Sequence, residues 1–176
     1  MDLQKWYKEK RCIVGDGIVL HPITEADVDD IFANFTKPVT KYMYPAAPKD
    51  KSETEAFVYG AVRGWQCGIE TVFIIRDKEG GFIGCVGLHG ILCGHPEIGI
   101  WTSEKVRGHG YGKQAVELAV RFGREMLKPD YFVYPVDHRN GPSRRIPLSM
   151  NGKAMREFTY ENKSGDTLEM IEYWID

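Results

Sequence analysis

The chain has 176 residues, and its 23 Lys and Arg against 25 Asp and Glu leave a formal net charge of -2. With 43% hydrophobic and 27% charged residues, the composition excludes intrinsic disorder and suits a folded core. The near-neutral charge argues against a broad nucleic-acid surface, and no apolar run approaches the roughly 20 residues that a membrane helix needs. We therefore expect one domain over residues 1–176, located in the cytoplasm, with neither a nucleic-acid nor a membrane partner.

The cysteines form no Cys-x-x-Cys pair, which argues against a disulfide scaffold or a zinc ribbon. We read them as free thiols, mostly buried: Cys12, Cys67, Cys85 and Cys93. One local cluster, formed by His89, Cys93 and His95, has the residue types of a metal site but shows no fourth ligand. Packing explains this cluster more simply, and we expect no metal.

The first part of the chain predicts a strand followed by a capped helix. Residues 1–15 form an N-terminal extension for which a strand, a helix and a lid all remain open. The run GIVLHPI over residues 17–23 predicts the first strand. Thr24, with Asp27 three residues later, is typical of a helix N-cap, and the amphipathic pattern ends near Phe35.

Residues 36–51 are expected to form an aromatic loop. Three prolines interrupt this segment, and Tyr42 and Tyr44 make it more apolar than a solvated connection requires. Ser52, with Glu55 three residues later, then predicts the start of a second helix that runs to about Trp65.

Strand patterns dominate after residue 70. The runs TVFIIRD and FIGCVGLHG, joined by KEGG, predict a β-hairpin, and PEIGIWT predicts a third strand. A glycine-rich turn leads into the best-defined helix, in which Ala115, Ala119, Phe122 and Met126 recur at three- or four-residue intervals. A strand near residues 130–136, a short helix near 142–150 and strands near 153–160 and 167–175 complete an α/β or α+β arrangement.

The turn RGHGYGK over residues 107–113 lies between a strand and a helix, where free N–H groups and the helix dipole favour an anion. Its alternating glycines let the backbone approach a phosphate closely. A Walker loop is disfavoured, because Arg107 stands where its first glycine belongs and Gln114 where its hydroxyl belongs. A dinucleotide fingerprint is disfavoured because its third glycine comes one residue early.

The same turn, as Arg107-x-x-Gly110-x-Gly112, resembles the acetyl-CoA pyrophosphate loop of the GCN5-related N-acetyltransferase family. Further elements match in order: the strand EIGIW at residues 97–101, the NGPS element at 140–143 and the closing EYW at 172–174. The resemblance covers almost the whole chain and is strongest for the ribosomal-protein N-terminal acetyltransferase branch. It implies a central, mixed but mostly antiparallel twisted sheet of about seven strands, flanked by about four helices.

The resemblance also implies where acetyl-CoA, the expected cosubstrate, would bind. In the family, backbone amides of the glycine loop hold the pyrophosphate, a role that falls here on Arg107, Gly108, His109, Gly110, Tyr111, Gly112 and Lys113. The preceding strand, ending at Trp101 and Thr102, would separate from its neighbour and pair with the pantetheine arm, with one amide near the thioester oxygen. Asn140 and Ser143 would lie on the other side of that arm, although Asn-Gly-Pro-Ser is also a natural turn and helix cap.

The reaction implied by the resemblance is direct attack of a neutral amine on the thioester, so the amine must lose a proton and the thiolate gain one. Glu97 is the candidate base, acting through water, unless it forms a structural ion pair; His89 and His95 are alternative bases. The tyrosine acid of many relatives would fall at Pro147, so Ser143, a water or no acid serves instead. The alternative function is a non-catalytic acyl-CoA-binding sensor or scaffold.

The family's acceptor groove lies between the first two helices and the last hairpin. The resemblance therefore points to Tyr42, Tyr44 and Tyr160 as substrate-binding residues, with Phe158 and Tyr173 as further candidates that are equally compatible with a core position. Aromatic walls suit an amine or a peptide. A protein N-terminus and a small-molecule amine both fit as acceptor, and a homodimer is compatible with the resemblance.

Overall fold

The computed structural model describes residues 2–176; Met1, the first residue of the predicted extension, lies outside them. Eight strands form one sheet: β1 (Ile13–Val14), β2 (Ile18–Pro22), β3 (Thr71–Asp77), β4 (Phe82–His89), β5 (Glu97–Thr102), β6 (Phe132–Asp137), β7 (Lys153–Glu161) and β8 (Thr167–Ile175). Their spatial order is β1-β2-β3-β4-β5-β6-β8-β7. Every neighbouring pair is antiparallel except β5 with β6, which is parallel.

Six α-helices accompany the sheet within residues 2–176: α1 (Leu3–Lys8), α2 (Val28–Asn34), α3 (Lys37–Thr40), α4 (Lys51–Cys67), α5 (Tyr111–Met126) and α6 (Gly141–Ser149). The predicted mixed, mostly antiparallel sheet with flanking helices is confirmed. The predicted numbers of about seven strands and about four helices are too low by one strand and two helices. The additional elements are β1, α1 and α3, which are too short to show a periodic pattern.

The N-terminal extension contains both a helix and a strand. The Asp2 carboxylate caps α1 by accepting the N–H of Gln4 at 2.8 Å. Strand β1 then pairs with the edge of β2. The ring of Trp6 packs edge-on against Phe122 of α5, with ring centroids 5.1 Å apart, so α1 covers part of the core.

Helix α4, the second helix predicted from the sequence, begins earlier than expected. Its N-cap is Asp50, whose carboxylate accepts the N–H groups of Ser52 at 2.9 Å and Glu53 at 3.4 Å. The Ser52 hydroxyl donates to Asp50 instead of capping the helix itself. A charged carboxylate two residues upstream therefore takes the capping position. The predicted loop over residues 36–51 is also interrupted by the single helical turn α3.

Helix α2 is anchored to the sheet by one carboxylate. Thr24, the predicted N-cap, caps a 3-10 turn (Glu25–Asp27) that leads into α2, whose own N-cap is Asp27. Asp27 accepts the N–H and hydroxyl of Thr24 at 2.9 and 2.8 Å and binds Arg76 of β3 at 2.8 Å. Arg76 also donates to Asp30 at 2.9 Å. This largely buried ion pair fixes α2 over β3, and with it the start of the loop that follows α2.

Side chains of the central strands alternate between two faces. Leu88, Ile98 and Phe132 are buried on the face that α5 covers, where Gly123 of α5 lies against Phe132 and Leu88. We call this side, which α6 also covers, the helix face. The opposite side of β5, β6, β7 and β8 carries Glu97 and is called the open face.

The cysteines differ from the prediction of mostly buried thiols. They are free, as expected, but only Cys85 is buried, while Cys12, Cys67 and Cys93 are exposed. The exposed three lie in short connections or at a helix end, where hydrophobic patterning gives no indication of burial. Within residues 2–176, the helices are all too short or too polar to cross a bilayer.

Two glycines in helices predict opposite effects of the same substitution. A Cβ on Gly123 would lie 2.6 Å from the ring of Phe132, so Gly123→Ala should overpack the core and destabilise the fold by about 1–3 kcal/mol. Gly60, at an exposed position of α4, has open space around it, and Gly60→Ala should stabilise the fold by about 0.5–1 kcal/mol. Urea unfolding of both variants measures the two free energies, and stabilisation by both substitutions would contradict the packing described for Gly123.

Candidate active site

Strands β5 and β6 separate immediately after their first shared position. Their register contains the single parallel pair Glu97 with Val133, next to a hydrogen bond from the Val133 N–H to the Pro96 carbonyl at 3.0 Å. On its other edge, β5 stays paired with β4 along its whole length. The edge of residues 98–102 that faces β6 therefore borders a slot, where backbone groups are available to an extended ligand.

The N-terminus of α5 lies beside this slot and is shaped by glycine. Gly110 is the N-cap residue with a φ of 76°, and Gly108 has a φ of 87°, both in the left-handed region that favours glycine. The first intrahelical hydrogen bond runs from the Gln114 N–H to the Gly110 carbonyl at 3.2 Å, so the N–H groups of residues 111–113 point out of the helix end. Together with the helix dipole, they form an anion-binding end.

The side chains of the glycine loop are engaged with the protein itself. Arg107 donates to the Pro38 carbonyl at 3.3 Å and pairs with Glu104 at 3.5 Å. Lys113 pairs with Glu117 one turn along α5, at 3.7 Å. The rings of His109 and Tyr111 stack on each other, with their centroids 5.5 Å apart. The groups that this loop leaves available to an anion are therefore mainly backbone N–H groups.

Helix α6 forms the far wall of the slot. A Cβ built on Gly112 of α5 would lie 3.8 Å from Thr102 of β5 and 3.7 Å from Ile146 of α6, so the three elements meet there. Asn140 is the N-cap of α6, and its side-chain oxygen accepts the N–H of Ser143 at 3.3 Å. Asn140 therefore caps α6, which is one of the two roles that the sequence allowed for it.

The hydroxyl of Ser143 lies 2.8 Å from the hydroxyl of Tyr134 on β6. Burial raises the pKa of Tyr134 to about 12, although the hydrogen bond to Ser143 acts in the opposite direction, so the phenol keeps its proton at neutral pH. Pro147 is buried inside α6 and has no proton to offer. A phenol is therefore present near the slot, but it comes from β6, which no motif spacing indicated.

Trp101 and Thr102 have different surroundings at the end of β5. The Trp101 ring packs between Phe35 and Phe82, with centroid distances of 4.8 and 5.8 Å. The Thr102 methyl group instead faces Gly112 at the slot. The Trp101 ring is thus engaged in this aromatic cluster, and the Trp101 carbonyl lies on the β4 side of β5, next to Gly84, so the slot edge at this end of β5 is formed by Thr102.

Glu97 lies at the closed end of the slot, on the open face. It lines a groove of about 530 Å³ together with His89, Arg156 and Glu172. Partial loss of hydration in this groove raises the pKa of Glu97; the neighbouring His89 opposes the increase and the Glu172 carboxylate adds to it. A carboxyl group with a raised pKa beside an open groove is suited to accept a proton.

The ion pair in this groove belongs to Glu172. Its carboxylate accepts hydrogen bonds from Arg156 Nε and from Trp174 Nε1, both at 2.8 Å. Trp174 in turn stacks on Tyr131, with ring centroids 3.9 Å apart. Glu172 and Trp174 of the EYW segment thus line the groove, and within residues 2–176 Arg156 pairs with Glu172 rather than with Glu97.

The three predicted substrate-binding tyrosines lie near the ends of strands β6 and β7. Tyr44 and Tyr160 have ring centroids 5.6 Å apart, and the Tyr42 ring lies 5.4 Å from the guanidinium carbon of Arg139. Burial raises the pKa of Tyr160, and the charge of Glu97 raises it further, so these two groups share one environment. The structure therefore places Tyr160 near Glu97, with Tyr44 packed against Tyr160.

The loop that carries the tyrosines is attached to the last hairpin. The Lys163 N–H donates to the Tyr44 carbonyl at 3.2 Å, and the Asn162 amide donates to the Met43 carbonyl at 3.4 Å. Of the further aromatic candidates, Phe158 stacks on Tyr160, whereas Tyr173 is buried in the core.

The cluster considered as a metal site lies beside the same groove. His89, Cys93 and His95 all line it, and the His95 ring stacks on Tyr131 with centroids 5.2 Å apart. Within residues 2–176, no group of three or more His, Cys, Asp or Glu side chains has the arrangement of a metal site.

Asp137 is a site-supporting residue that the sequence analysis did not single out. Its fully buried carboxylate accepts two hydrogen bonds from the Arg139 side chain, at 2.8 and 2.6 Å, and two from the N–H groups of Arg139 and Glu169, at 2.9 and 3.1 Å. Burial alone would raise the pKa of Asp137, but these hydrogen bonds outweigh it and lower the pKa. Asp137 thereby holds Arg139 beneath Tyr42.

Comparisons with known proteins identify the family and the fold. The family model described as acetyltransferase (GNAT) domain matches residues 18–151. Among solved structures, RimL, a ribosomal L7/L12 alpha-N-protein acetyltransferase in complex with coenzyme A, has a TM-score of 0.83 at 17% identity, covering 93% of this chain and 97% of its own. The Salmonella typhimurium enzyme that modifies the N-terminal serine of ribosomal protein L7/L12 gives 0.82 at 17% identity, covering 94% and 100%.

A structure with a different stated role is equally similar. The microcin C7 self-immunity acetyltransferase MccE, in complex with acetyl-CoA and AMP, has a TM-score of 0.81 at 17% identity, covering 91% of this chain and 92% of its own. At these identities the structural likeness shows the shared fold. A comparison with curated protein sequences gives no match.

Asp137→Asn should destabilise the protein in a pH-dependent way. A lowered pKa means that the carboxylate stabilises the fold fully above the ordinary Asp pKa of about 3.9, and that this stabilisation is lost as the pH falls through the lowered value. We expect the variant to lose about 1–3 kcal/mol at pH 7 and the difference from wild type to shrink below about pH 4. Urea unfolding at several pH values measures it, with the exposed Glu157→Gln as control. A difference that is constant with pH would contradict this account.

Proposed function

Because this chain belongs to the GNAT acetyltransferase family, and is therefore an acyltransferase, we propose that it transfers the acetyl group of acetyl-CoA to a primary amine. We further propose that residues 1–176 act as one catalytic domain. The observation that carries the proposal is the separation of β5 and β6 beside the glycine-capped N-terminus of α5. An extended thioester with a pyrophosphate requires such a slot ending at an anion-binding helix terminus.

The slot fits the chemical groups of acetyl-CoA. The N–H groups of residues 111–113 suit the pyrophosphate, and the positive φ of Gly108 and Gly110 lets the backbone come close to it. The free edge of β5 suits the amides of the pantetheine arm, with Thr102 on one wall and Asn140 and Ser143 near the other. Acetyl-CoA would supply an acetyl group activated as a thioester.

The acceptor amine would approach from the open face. An ammonium group is attracted to the carboxylates of the groove, and the rings of Tyr42, Tyr44 and Tyr160 suit its attached chain. RimL is described as acting on a protein α-amino group, whereas MccE is a self-immunity enzyme for a microcin. For this chain we therefore propose a primary amine, from a protein N-terminus or a small molecule, as acceptor.

Two side chains would handle the protons of this reaction. Glu97 takes the proton that the ammonium group must lose before its nitrogen can attack, acting through water. Ser143 donates a proton towards the departing sulfur, and the Tyr134 hydroxyl at 2.8 Å can replace that proton. A backbone N–H near Trp101 or Thr102 on the free edge of β5 would stabilise the negative charge on the carbonyl oxygen, a contribution of roughly 3 kcal/mol at comparable sites.

Two measurements on one purified sample test the proposal. Calorimetric titration compares acetyl-CoA, free CoA and ATP, and thiol release is then followed against a panel of amines and peptides with free N-termini. Binding of acetyl-CoA with amine-dependent thiol release supports the transferase and begins to identify the acceptor. Binding with no release for any amine would favour the acyl-CoA sensor, and absence of CoA binding would overturn the assignment of the slot.

Gly110→Asp should abolish acetyl-CoA binding. The substitution places a Cβ at a φ of 76° and adds a negative charge where the pyrophosphate approaches. Gly110→Ala adds only the Cβ, and we expect an intermediate loss of affinity. Calorimetry with acetyl-CoA measures both, after circular dichroism has shown that each variant is folded. Wild-type affinity in Gly110→Asp would mean that the phosphates bind elsewhere.

Glu97→Gln should reduce kcat by about 10²-fold or more while leaving the Kd for acetyl-CoA unchanged. The amide keeps the size of the side chain but cannot accept the ammonium proton. Because the pKa of Glu97 is raised, wild-type turnover should also decline as acid pH protonates this carboxylate. Thiol-release kinetics measure both effects, with the exposed Glu157→Gln on β7 as matched control. Full turnover in Glu97→Gln would remove Glu97 from the reaction.

A further inference from the structure

His89, an alternative base in the sequence analysis, lines the same groove and pairs with Glu70; the scheme above uses neither residue. His89, the last residue of β4, has its Nδ1 2.8 Å from Oε2 of Glu70, which precedes β3. Both side chains are part-exposed, at 38% and 26%. Because a carboxylate can only accept, Nδ1 carries the proton of this hydrogen bond, and in the neutral imidazole Nε2 is left as an acceptor.

Three glycines make room for this pair. A Cβ on Gly87 of β4 would lie 2.7 Å from Nε2 of His89, and one on Gly99 of β5 would lie 2.9 Å from the same atom. These two glycines are opposite each other in the sheet. On the other side, a Cβ on Gly64 of α4 would overlap the side chain of Glu70. The Nε2 edge of the imidazole therefore lies over two strands at a point where side chains larger than glycine would exclude it.

The position of the ring relates it to the proposed reaction. His89 is the cross-strand partner of Glu97, so both side chains leave the sheet on the open face. From there the imidazole extends over Gly99, the position between Glu97 and Trp101 on that face of β5. Nε2 thus lies over the junction of β4 and β5, on the open face, from which an acceptor would come.

We propose that His89, positioned by Glu70, accepts the proton of the acceptor ammonium at Nε2, with Glu97 as the neighbouring carboxylate through which the proton passes. This inference rests on the proposed acetyl transfer. The ammonium N–H bond breaks, an Nε2–H bond forms, and the nitrogen lone pair becomes free to attack. The resulting imidazolium is flanked by the carboxylates of Glu70 and Glu97, and its exposed part lets the proton leave to solvent.

A histidine is better matched to this step than a carboxylate alone. Imidazole is the side chain most often used as a general base, and one of its nitrogens can be held by a carboxylate while the other accepts a proton. Glu70 fixes the tautomer and the ring orientation, so it is a positioning residue. Among the described residues, the other titratable or charged groups that line this groove are those of Cys93, His95, Glu97, Tyr131, Arg156 and Glu172.

His89→Ala provides the first test, by chemical rescue. We expect kcat to fall by about 10²-fold or more, with the Kd for acetyl-CoA unchanged, and added imidazole to restore part of the turnover. A purely structural role of His89 would not respond to imidazole. His21→Gln is the control histidine variant, because His21 lies on β2 beside Cys12 and away from this groove; its turnover should equal that of wild type, with no response to imidazole.

A double-mutant cycle tests the role of Glu70. Glu70→Gln should lower kcat by about 10-fold with the KM values unchanged, because the amide no longer fixes the Nδ1 proton. In the His89→Ala background, Glu70→Gln should not lower kcat further, because Glu70 acts on the reaction only through His89. Additive losses in the double variant would show that Glu70 acts independently of His89 and would overturn the pairing.

The outcomes separate this inference from the proposed function. If wild-type protein releases no thiol with any amine, the proposed transfer fails, and with it the role of His89. If wild type is active and Glu97→Gln is impaired while His89→Ala keeps full turnover, only the inference about His89 fails. Loss of turnover in His89→Ala without imidazole rescue, in a variant that still binds acetyl-CoA, would likewise overturn it.

Discussion

The arrangement of the site depends on one short contact between two parallel strands. Strands β5 and β6 meet only where Glu97 pairs with Val133, and beyond this point the sheet is held together on each side separately, by β4 and by β8. Because α5 connects the two strands, its N-terminus is placed at the open end of the gap. The gap therefore places unpaired strand backbone next to the free N–H groups of a helix, and Glu97 marks its closed end.

The two faces of the sheet divide the chemistry. On the helix face, the hydroxyls of Tyr134 and Ser143 form a part-buried pair beside the slot. On the open face, carboxylates and aromatic rings line a groove that reaches Glu97. A thioester in the slot would therefore have proton donors on one side and proton acceptors on the other, which is the separation that amine attack and thiolate departure require.

Local rules predicted most elements, because the alternating strands and the periodic α5 express their burial within a few residues. The glycine turn and the strand before it could also be predicted from the sequence, because their contribution to the site is the shape of the backbone. Contacts between residues that are distant in the sequence could not be predicted in this way. The partners Tyr134 and Ser143 come from a strand and a helix, and Asp50 displaced Ser52 as a cap because a carboxylate competes successfully for the same N–H groups. Such choices depend on three-dimensional surroundings that motif spacing does not contain.

Glycines in β4 and β5 weaken these strands but leave space for neighbouring groups. A glycine inside a strand weakens it, since it gains no side-chain packing and loses more backbone entropy on folding. These two adjacent strands nevertheless contain Gly84, Gly87 and Gly99. A Cβ on Gly84 would overlap the Trp101 carbonyl, and the other two glycines leave space for the His89 ring. Gly87 and Gly99 thus make room for a side chain of the groove, whereas Gly84 permits the close pairing of β4 with β5.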